Sequence, residues 1–358
     1  MPRLDLHASA TDITRAICDI PSVSGEEVAL ADAIFDTVSA LPHLDVLREG
    51  DTIVARTHLN RDQRVAIAGH IDTVPVNANL PVREVVEDGV AYLWGRGTVD
   101  MKAGVAVQLK LAAELADPRV DLTWMWYDHE EVDADLNGLT RLSRIRPDLF
   151  QADFAILGEP SNGEIEGGCN GNLRAIVRTH GVRAHSARAW IGENAIHKAA
   201  PVLERLADYR PRTIEVDGLA YREGLNAVRI GGGVAGNVIP DLCEIEVNYR
   251  FAPSRSPEEA EQHVRDVLAG FEVEIREIAP GARPGLDAPL AQEFVRAVDA
   301  TPRPKYGWTD VARFSALGVP AVNYGPGDPH LAHHDQERVP VAQIEAVERG
   351  LRAWLSRH

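Results

Sequence analysis

Short apolar runs without helical periodicity alternate with amphipathic segments along the first half of the chain. Strands are predicted over residues 44–57, 64–69, 90–94, 122–127 and 154–157. A capping-box pattern at Ser24 and Glu27 predicts the start of a helix before the first of these strands. Leu30, Ile34 and Val38 recur every four residues after it and mark the apolar face of that helix.

The same alternation continues later in the chain. Helical periodicity extends over residues 105–112 and ends before Pro118. Near the carboxyl terminus, a short strand is predicted over 320–324 and a closing helix over 344–354. Strands that alternate with helices form a mostly parallel sheet, and ligands bind outside the carboxyl ends of its strands. The pattern therefore predicts an α/β fold.

A different pattern occupies the middle of the chain, where apolar and polar residues alternate. It predicts strands over 173–179 and 241–251. A helix is predicted over 194–207, with a kink or a late start at Pro201. A second helix begins at the capping box of Ser256–Glu259, which has proline at the first helical position.

These elements predict two domains. Residues 1–173 and 284–358 form a catalytic α/β domain, and residues 174–283 form a small α+β domain inserted into it. The stretch 280–289 is rich in proline and glycine and is the predicted linker back to the first domain.

Composition narrows the class of protein. The 358 residues correspond to about two domains, and the apolar content of 45% is that of an ordinary globular protein. The formal net charge of −17 argues against nucleic acid or an anionic membrane as a partner. Without an apolar signal core or a span of ~20 apolar residues, we expect a cytoplasmic protein. The 3 cysteines are scattered and fit reduced thiols.

Ionisable side chains follow the predicted strands at the ends where ligands gather. They are His70, Asp72, Asp100, Glu130, Glu131 and Glu159. Residues two apart on an extended backbone face the same way, so the Asp72 carboxylate is placed to hold the second ring nitrogen of His70. A nitrogen and oxygen donor set without thiolates suits a pair of Zn²⁺ ions, or Mn²⁺ or Co²⁺, bridged by one carboxylate. The alternative is that each acid caps a helix or pairs with an arginine.

Taken in order, five parts of the chain resemble the aminoacylase/carboxypeptidase-type di-zinc amidohydrolases. They are Gly69–Pro75, Gly95–Lys102, Glu130–Glu131, Gly158–Ser161 and the late His333. The resemblance spans nearly the whole chain. It implies a zinc-exopeptidase-like catalytic domain with an inserted lid and dimerisation domain, two bound Zn²⁺ ions and a homodimer.

The resemblance also implies which residues bind the two metal ions. His70 and Glu159 bind one ion, and Glu131 and His333 bind the other. Asp100 bridges the two ions.

The implied chemistry is amide hydrolysis, and it requires no cofactor beyond the metals. Glu130 is the general base, which takes a proton from the attacking water and returns it to the leaving amine. Asp72 orients His70.

Two adjacent histidines compete for the last ligand position. The resemblance selects His333, because Glu337 and Val339 then stand at the family's spacing after it. His334 is a solvated neighbour. His129 stands where the family often has an acid, and no role is assigned to it.

Three residues of the inserted domain match functional positions of the family. Gly181–Ser186 resembles the segment whose histidine reaches a partner's active site, so His185 is the candidate for stabilising the oxyanion. Its alternative is a plain polar loop residue. Asn237, in Asn-Val-Ile-Pro, stands where the family binds substrate. Arg250 stands near the substrate carboxylate in the family, with an exposed strand arginine as the alternative.

The segments Gly307–Phe314, with its Trp-Thr-Asp, and Gly325–Asp328 look most like those of the succinyl-diaminopimelate desuccinylases. That resemblance implies a small acidic substrate, N-succinyl-LL-2,6-diaminopimelate, whose carboxylates Arg250 and Arg313 would meet. The alternatives are another acyl-amino-acid deacylase, such as an acetylornithine deacetylase, a dipeptidase, or a non-catalytic metal-binding protein. The presence of Glu130 argues against the last.

Overall fold

The computed structural model describes residues 3–356. Its helices are α1 (Ala10–Cys18), α2 (Val28–Val38), α3 (Lys102–Glu114), α4 (Gly138–Ile145), α5 (Ala195–Lys198), α6 (Ala200–Ala207), α7 (Pro257–Val267), α8 (Pro289–Ala297), α9 (Val311–Ala316) and α10 (Val341–Leu355). Its strands are β1 (Asp45–Glu49), β2 (Thr52–Arg56), β3 (Arg64–His70), β4 (Arg83–Glu87), β5 (Val90–Trp94), β6 (Asp121–Tyr127), β7 (Phe154–Leu157), β8 (Glu166–Gly167), β9 (Gly171–His180), β10 (Ala184–His185), β11 (Thr213–Val216), β12 (Leu219–Arg222), β13 (Gly224–Gly232), β14 (Val238–Ile239), β15 (Leu242–Phe251), β16 (Glu272–Ala279), β17 (Arg303–Pro304), β18 (Ala321–Asn323) and β19 (Arg338–Pro340). Within this part of the chain, no helix is both long and apolar enough to cross a membrane.

The described chain divides into two compact units. The first comprises the residues up to Gly167, Gly285–Arg303, and the residues from Arg313 onward. The second comprises Gly168–Pro284 and Pro304–Ala312. The pattern of the sequence did not indicate that residues 304–312 belong with the second unit.

The first unit contains a mixed sheet with a parallel centre, in the strand order β1-β2-β6-β3-β7-β18-β8-β17. β3 runs parallel to β6 and β7, and β18 runs parallel to β7. β3, β6 and β7 are buried almost throughout, which explains their continuous apolar runs. The α/β prediction is confirmed. A separate three-stranded sheet has the order β19-β5-β4.

The register of the parallel strands brings their carboxyl ends to one level. Ala68 of β3 pairs with Met125 of β6 on one side and with Leu157 of β7 on the other. The segments that follow these three strands therefore begin side by side. The buried helix α3 packs beside β3, with α1 and α10 against it.

The second unit contains an antiparallel sheet in the order β13-β15-β9-β16. Its alternating pattern follows from burial of one face: Val177 of β9 pairs with Ile245 of β15, and both are buried in a core that helices α5, α6 and α7 cover. A short ribbon pairs β10 with β14, and a hairpin pairs β11 with β12.

Of the local sequence signals for helix starts, those at Ser256 and Pro201 were confirmed and the one at Ser24 was not. The capping box that begins α7 is present, and Pro201 lies in the first turn of α6, after a break that separates α6 from α5. Both predictions are confirmed. The predicted capping box at Ser24 and Glu27 was wrong. Glu27 is the residue before α2 and gives it no side-chain cap, and the Ser24 hydroxyl donates instead to Asp72 (2.7 Å).

Candidate metal and catalytic site

The buried side chain of Asp72 joins the segments that follow β3 and β6. Its Oδ1 accepts a hydrogen bond from the backbone N–H of Glu130 (3.0 Å). Its Oδ2 accepts from the N–H of Glu131 (3.1 Å) and from the Ser24 hydroxyl (2.7 Å). Asp72 therefore fixes the backbone from which both glutamate side chains project.

The imidazole of His70 is buried at the end of β3. Its Nδ1 lies 3.0 Å from the carbonyl oxygen of Asp72 and 3.5 Å from Oδ1 of the same residue, so the carbonyl is the nearer partner. Its Nε2 lies 3.0 Å from Oδ1 of Asp100. The contact of Nδ1 with the Asp72 carbonyl fixes the ring and directs Nε2 toward the Asp100 carboxylate.

The carboxylate of Asp100 lies between two histidines. Oδ1 faces His70, as above, and Oδ2 lies 3.4 Å from Nε2 of His333. The same His333 nitrogen lies 2.9 Å from Oε2 of Glu131. One carboxylate thus contacts both ring nitrogens, which is the arrangement expected of a bridging ligand.

Opposite charges dominate the electrostatics of this cluster. Asp100 and Glu131 raise the pKa of His333 to about 10. Burial opposes protonation of His70, but Asp100 and Asp72 outweigh it and hold the pKa of His70 well above its ordinary value. Burial likewise opposes ionisation of Asp100, and the two histidines overcome it to lower the pKa of that carboxyl.

Two further predicted residues lie at the same edge of the sheet. Glu159 is buried, two residues beyond the end of β7. It is not one of the three residues whose ligand atoms lie within 4.8 Å of one another, His70, Asp100 and Glu131. Glu130 is half-buried, and its backbone is held by Asp72.

The donor set fits divalent cations that take nitrogen and oxygen ligands. In each contact a ring nitrogen faces a carboxylate oxygen at hydrogen-bond distance. A cation binds such a group after the shared proton leaves, because the ligands must be a neutral imidazole and a carboxylate.

Some polar residues beside the site were not assigned from the sequence. His129 Nδ1 lies 2.6 Å from Asp128 Oδ2 and 3.4 Å from Glu27 Oε1, so its ring contacts two buried carboxylates next to Glu130. Arg96 and Glu337 are also buried and paired. In the sequence, the change of residue type at position 129 was visible, and Glu337 was noted only for its spacing from His333; neither signal indicated these pairings.

The predicted residues of the second unit include two that lie together. His185 and Asn237 are exposed on and beside the β10–β14 ribbon, and the backbone N–H of Ser186 donates to the carbonyl of Asn237 (2.9 Å). Nδ1 of His185 accepts from the N–H of Ala187 (3.0 Å). The neutral ring therefore carries its proton on Nε2.

The two predicted arginines lie in different units. Arg250, on β15 of the second unit, is half-buried and donates from Nε to Asn248 (3.2 Å). Glu277 lies near enough to favour the charge of Arg250, but its carboxylate pairs with Arg174 (3.6 Å). Burial, with repulsion from Arg174, lowers the pKa of Arg250. Arg313 lies on α9 and belongs to the first unit.

Sequence comparison identifies relatives along the whole chain. The model of peptidase family M20/M25/M40 matches residues 66–357. A Mycobacterium tuberculosis protein provisionally named succinyl-diaminopimelate desuccinylase DapE is 53% identical, covering 98% of this chain and 99% of that protein. A Corynebacterium glutamicum protein named succinyl-diaminopimelate desuccinylase is 47% identical, covering 99% of this chain and 98% of that protein.

Solved structures share the fold. A tripeptidase from Staphylococcus aureus superposes with a TM-score of 0.79 at 22% identity, covering 97% of this chain and 96% of that one. The YXEP protein of Bacillus subtilis, described as a dinuclear metal-binding peptidase of the M20 family, gives a TM-score of 0.67 at 16% identity, with coverage of 98% and 97%.

Proposed function

The chain belongs to peptidase family M20/M25/M40, and on that premise we propose that it hydrolyses N-succinyl-LL-2,6-diaminopimelate to succinate and LL-2,6-diaminopimelate. This reaction is a step of lysine and diaminopimelate biosynthesis. The observation that carries the proposal is the cluster of His70, Asp100, Glu131 and His333 at the edge of the sheet. It occurs in a chain with two near-full-length relatives that bear this name.

We propose that the cluster holds two Zn²⁺ ions, for which Co²⁺ or Mn²⁺ can substitute. His70 and Glu159 bind one ion, Glu131 and His333 bind the other, and Asp100 is shared. Asp100 directs Oδ1 at His70 and Oδ2 at His333, and this arrangement supports its shared position. When bound, the cations polarise the amide carbonyl and acidify the attacking water.

Glu130 is the proposed general base. Its carboxylate takes a proton from the attacking water as the C–O bond forms, and it returns that proton to the nitrogen as the C–N bond breaks. The hydrogen bond from its backbone to Asp72 supports this role, because it fixes Glu130 beside the ligand Glu131. Asp72 also orients His70 through its carbonyl.

His185 is the proposed oxyanion donor, supplied by the partner in a homodimer. Its Nε2 proton is free to donate, because Nδ1 is already an acceptor. The dimer is proposed to form at β13, an edge strand on which Val228 and Ile230 are 58% and 48% exposed. Ile230→Lys is expected to yield monomers in analytical ultracentrifugation, and an unchanged dimer would contradict this interface.

Substrate recognition is assigned to Arg250, Arg313 and Asn237. Arg250 supports this assignment, since its guanidinium is half-buried and its Nε donates to the neutral side chain of Asn248, so the guanidinium can also pair with a substrate carboxylate. Arg250→Lys keeps the charge but loses the forked geometry. We expect it to raise KM for the succinyl substrate more than it lowers kcat, and an unchanged KM would remove Arg250 from the site.

The experiment that tests the function measures succinate release by the zinc-loaded protein. N-succinyl-LL-2,6-diaminopimelate, N-acetylornithine and a plain dipeptide are compared, with wild type and Glu130→Gln. We expect strong preference for the succinyl substrate and a loss of about 10²- to 10⁴-fold in the variant, which should still bind zinc. Equal or faster turnover of acetylornithine would overturn the substrate, and an active variant would overturn the base.

A further inference from the structure

A buried ion pair lies behind the metal cluster and outside the proposed chemistry. Arg96 and Glu337 are 4% and 1% exposed, and Nη1 of Arg96 lies 2.8 Å from Oε2 of Glu337. The two residues are separated by 241 positions in the sequence. Taking two charges out of water is costly, so a pair at this depth requires further hydrogen bonds to both partners.

Those further bonds go to backbone groups of the segment that carries Asp100. Oε1 of Glu337 accepts hydrogen bonds from the N–H groups of Val99 (2.9 Å) and Asp100 (3.1 Å). The backbone carbonyl of Glu337 accepts a third, from the N–H of Gly95 (3.0 Å). Glu337 therefore fixes the peptide from which the Asp100 carboxylate projects.

The arginine extends the connection to two other ligand-bearing segments. Nε of Arg96 donates to the carbonyl of Pro75 (3.2 Å), in the segment that follows His70. Nη1 of Arg96 also lies 3.4 Å from the carbonyl of His334, next to His333. Three segments that are remote in sequence thus converge on one ion pair.

We propose that Arg96 and Glu337 are positioning residues. They hold the backbone segments of Asp100 and His333 in the positions relative to His70 that cation binding requires. This inference rests on the proposed metal-dependent function and deepens it. Neither side chain is itself a proposed metal ligand. They act on the backbone that places Asp100 between the two histidines.

A matched control exists in the same unit, at the opposite end of β6. Asp121 is 4% exposed, and its carboxylate accepts hydrogen bonds from the backbone N–H groups of Leu59 (2.8 Å) and Arg61 (3.0 Å). Arg64 lies 3.6 Å from it. Asp121→Asn and Glu337→Gln therefore remove the same kind of buried carboxylate, but only Glu337 contacts a ligand-bearing segment.

The test measures Zn²⁺ affinity by competition with a chromogenic chelator, together with thermal unfolding of the metal-stripped proteins. We expect Glu337→Gln to weaken zinc binding about 10- to 100-fold, and Asp121→Asn to leave it unchanged although both variants unfold at lower temperature. If Glu337→Gln does not fold, Arg96→Lys replaces it, because lysine keeps the charge and loses the forked contacts.

Equal loss of zinc affinity in Glu337→Gln and Asp121→Asn, or no loss in either, would overturn the positioning role. Wild type that binds two zinc ions in that same experiment would leave the proposed function standing. Wild type that binds no zinc would overturn the proposed function itself, and the inference with it.

Discussion

Asp72→Asn removes one negative charge from the centre of the site while keeping the volume of the side chain. In wild type, the buried carboxylate accepts hydrogen bonds from the N–H groups of Glu130 and Glu131 and from the Ser24 hydroxyl. An asparagine amide has one acceptor oxygen, and its NH₂ group cannot accept. One of the two backbone N–H groups is therefore left without an acceptor.

The expected cost follows from these contacts. A buried N–H without an acceptor costs about 1–3 kcal/mol, and the remaining bonds lose their charge assistance, which costs about 1 kcal/mol more. Asp72→Asn should thus lower the free energy of unfolding by about 2–4 kcal/mol. Ser24→Ala removes one donor and leaves the carboxylate its two backbone partners, so it should cost only about 1 kcal/mol.

Urea titrations with a chelator present measure both values without a contribution from metal binding. Trp124 and Trp126 report on the first unit, because both are buried in β6, which ends beside the site. A loss for Asp72→Asn no larger than the loss for Ser24→Ala would show that Asp72 does not brace the two glutamates.

Three further predictions concern other parts of the first unit. Burial opposes ionisation of Asp121, but hydrogen bonds from backbone N–H groups outweigh burial and lower the pKa of Asp121 below its ordinary 3.8. The ionised Asp121 carboxylate therefore stabilises the fold fully above pH 3.8, and this stabilisation is lost as the pH falls through the lowered pKa. The gap in unfolding free energy between wild type and Asp121→Asn should therefore close in acid, and a gap independent of pH would contradict this. Gly104→Ala would place its Cβ 2.2 Å from the carbonyl oxygen of Gly158, so it should cost about 1–3 kcal/mol and also weaken zinc binding by displacing the segment of Glu159; urea and zinc titrations that match wild type would refute it. Burial raises the pKa of Cys18 to about 12, so iodoacetamide should label it slowly unless the protein is unfolded, and rapid labelling of the native protein in mass spectrometry would contradict its burial.

The parallel sheet could be predicted from the sequence because its strands are buried on both faces. The apolar runs that became β3, β6 and β7 each end in ionisable residues, and both features are local. Their convergence follows from the common level of parallel strand ends. His333 follows no such strand, and only the family resemblance pointed to it before the structure placed it against Glu131.

The contacts that could not be predicted join residues remote in sequence. Ser24 fits a local capping box, yet its hydroxyl donates to Asp72, 48 positions away. The pairing of Arg96 with Glu337 has no periodicity and no local partner that would reveal it. In the second unit, the position of residues 304–312 depends on packing rather than on a repeating apolar pattern. The β11–β12 hairpin does have a local signal, Asp217-Gly218 between two short strands with both residues at positive φ, which the apolar pattern alone did not reveal.

The most direct test of the dinuclear centre is an anomalous difference map at the zinc edge, from crystals of the zinc-loaded protein. Two peaks about 3.5–4 Å apart are expected on either side of the Asp100 carboxylate. One should lie beside His70 and Glu159, and the other beside Glu131 and His333. A single peak, or peaks away from Asp100, would contradict the assignment of a shared carboxylate between two metal ions.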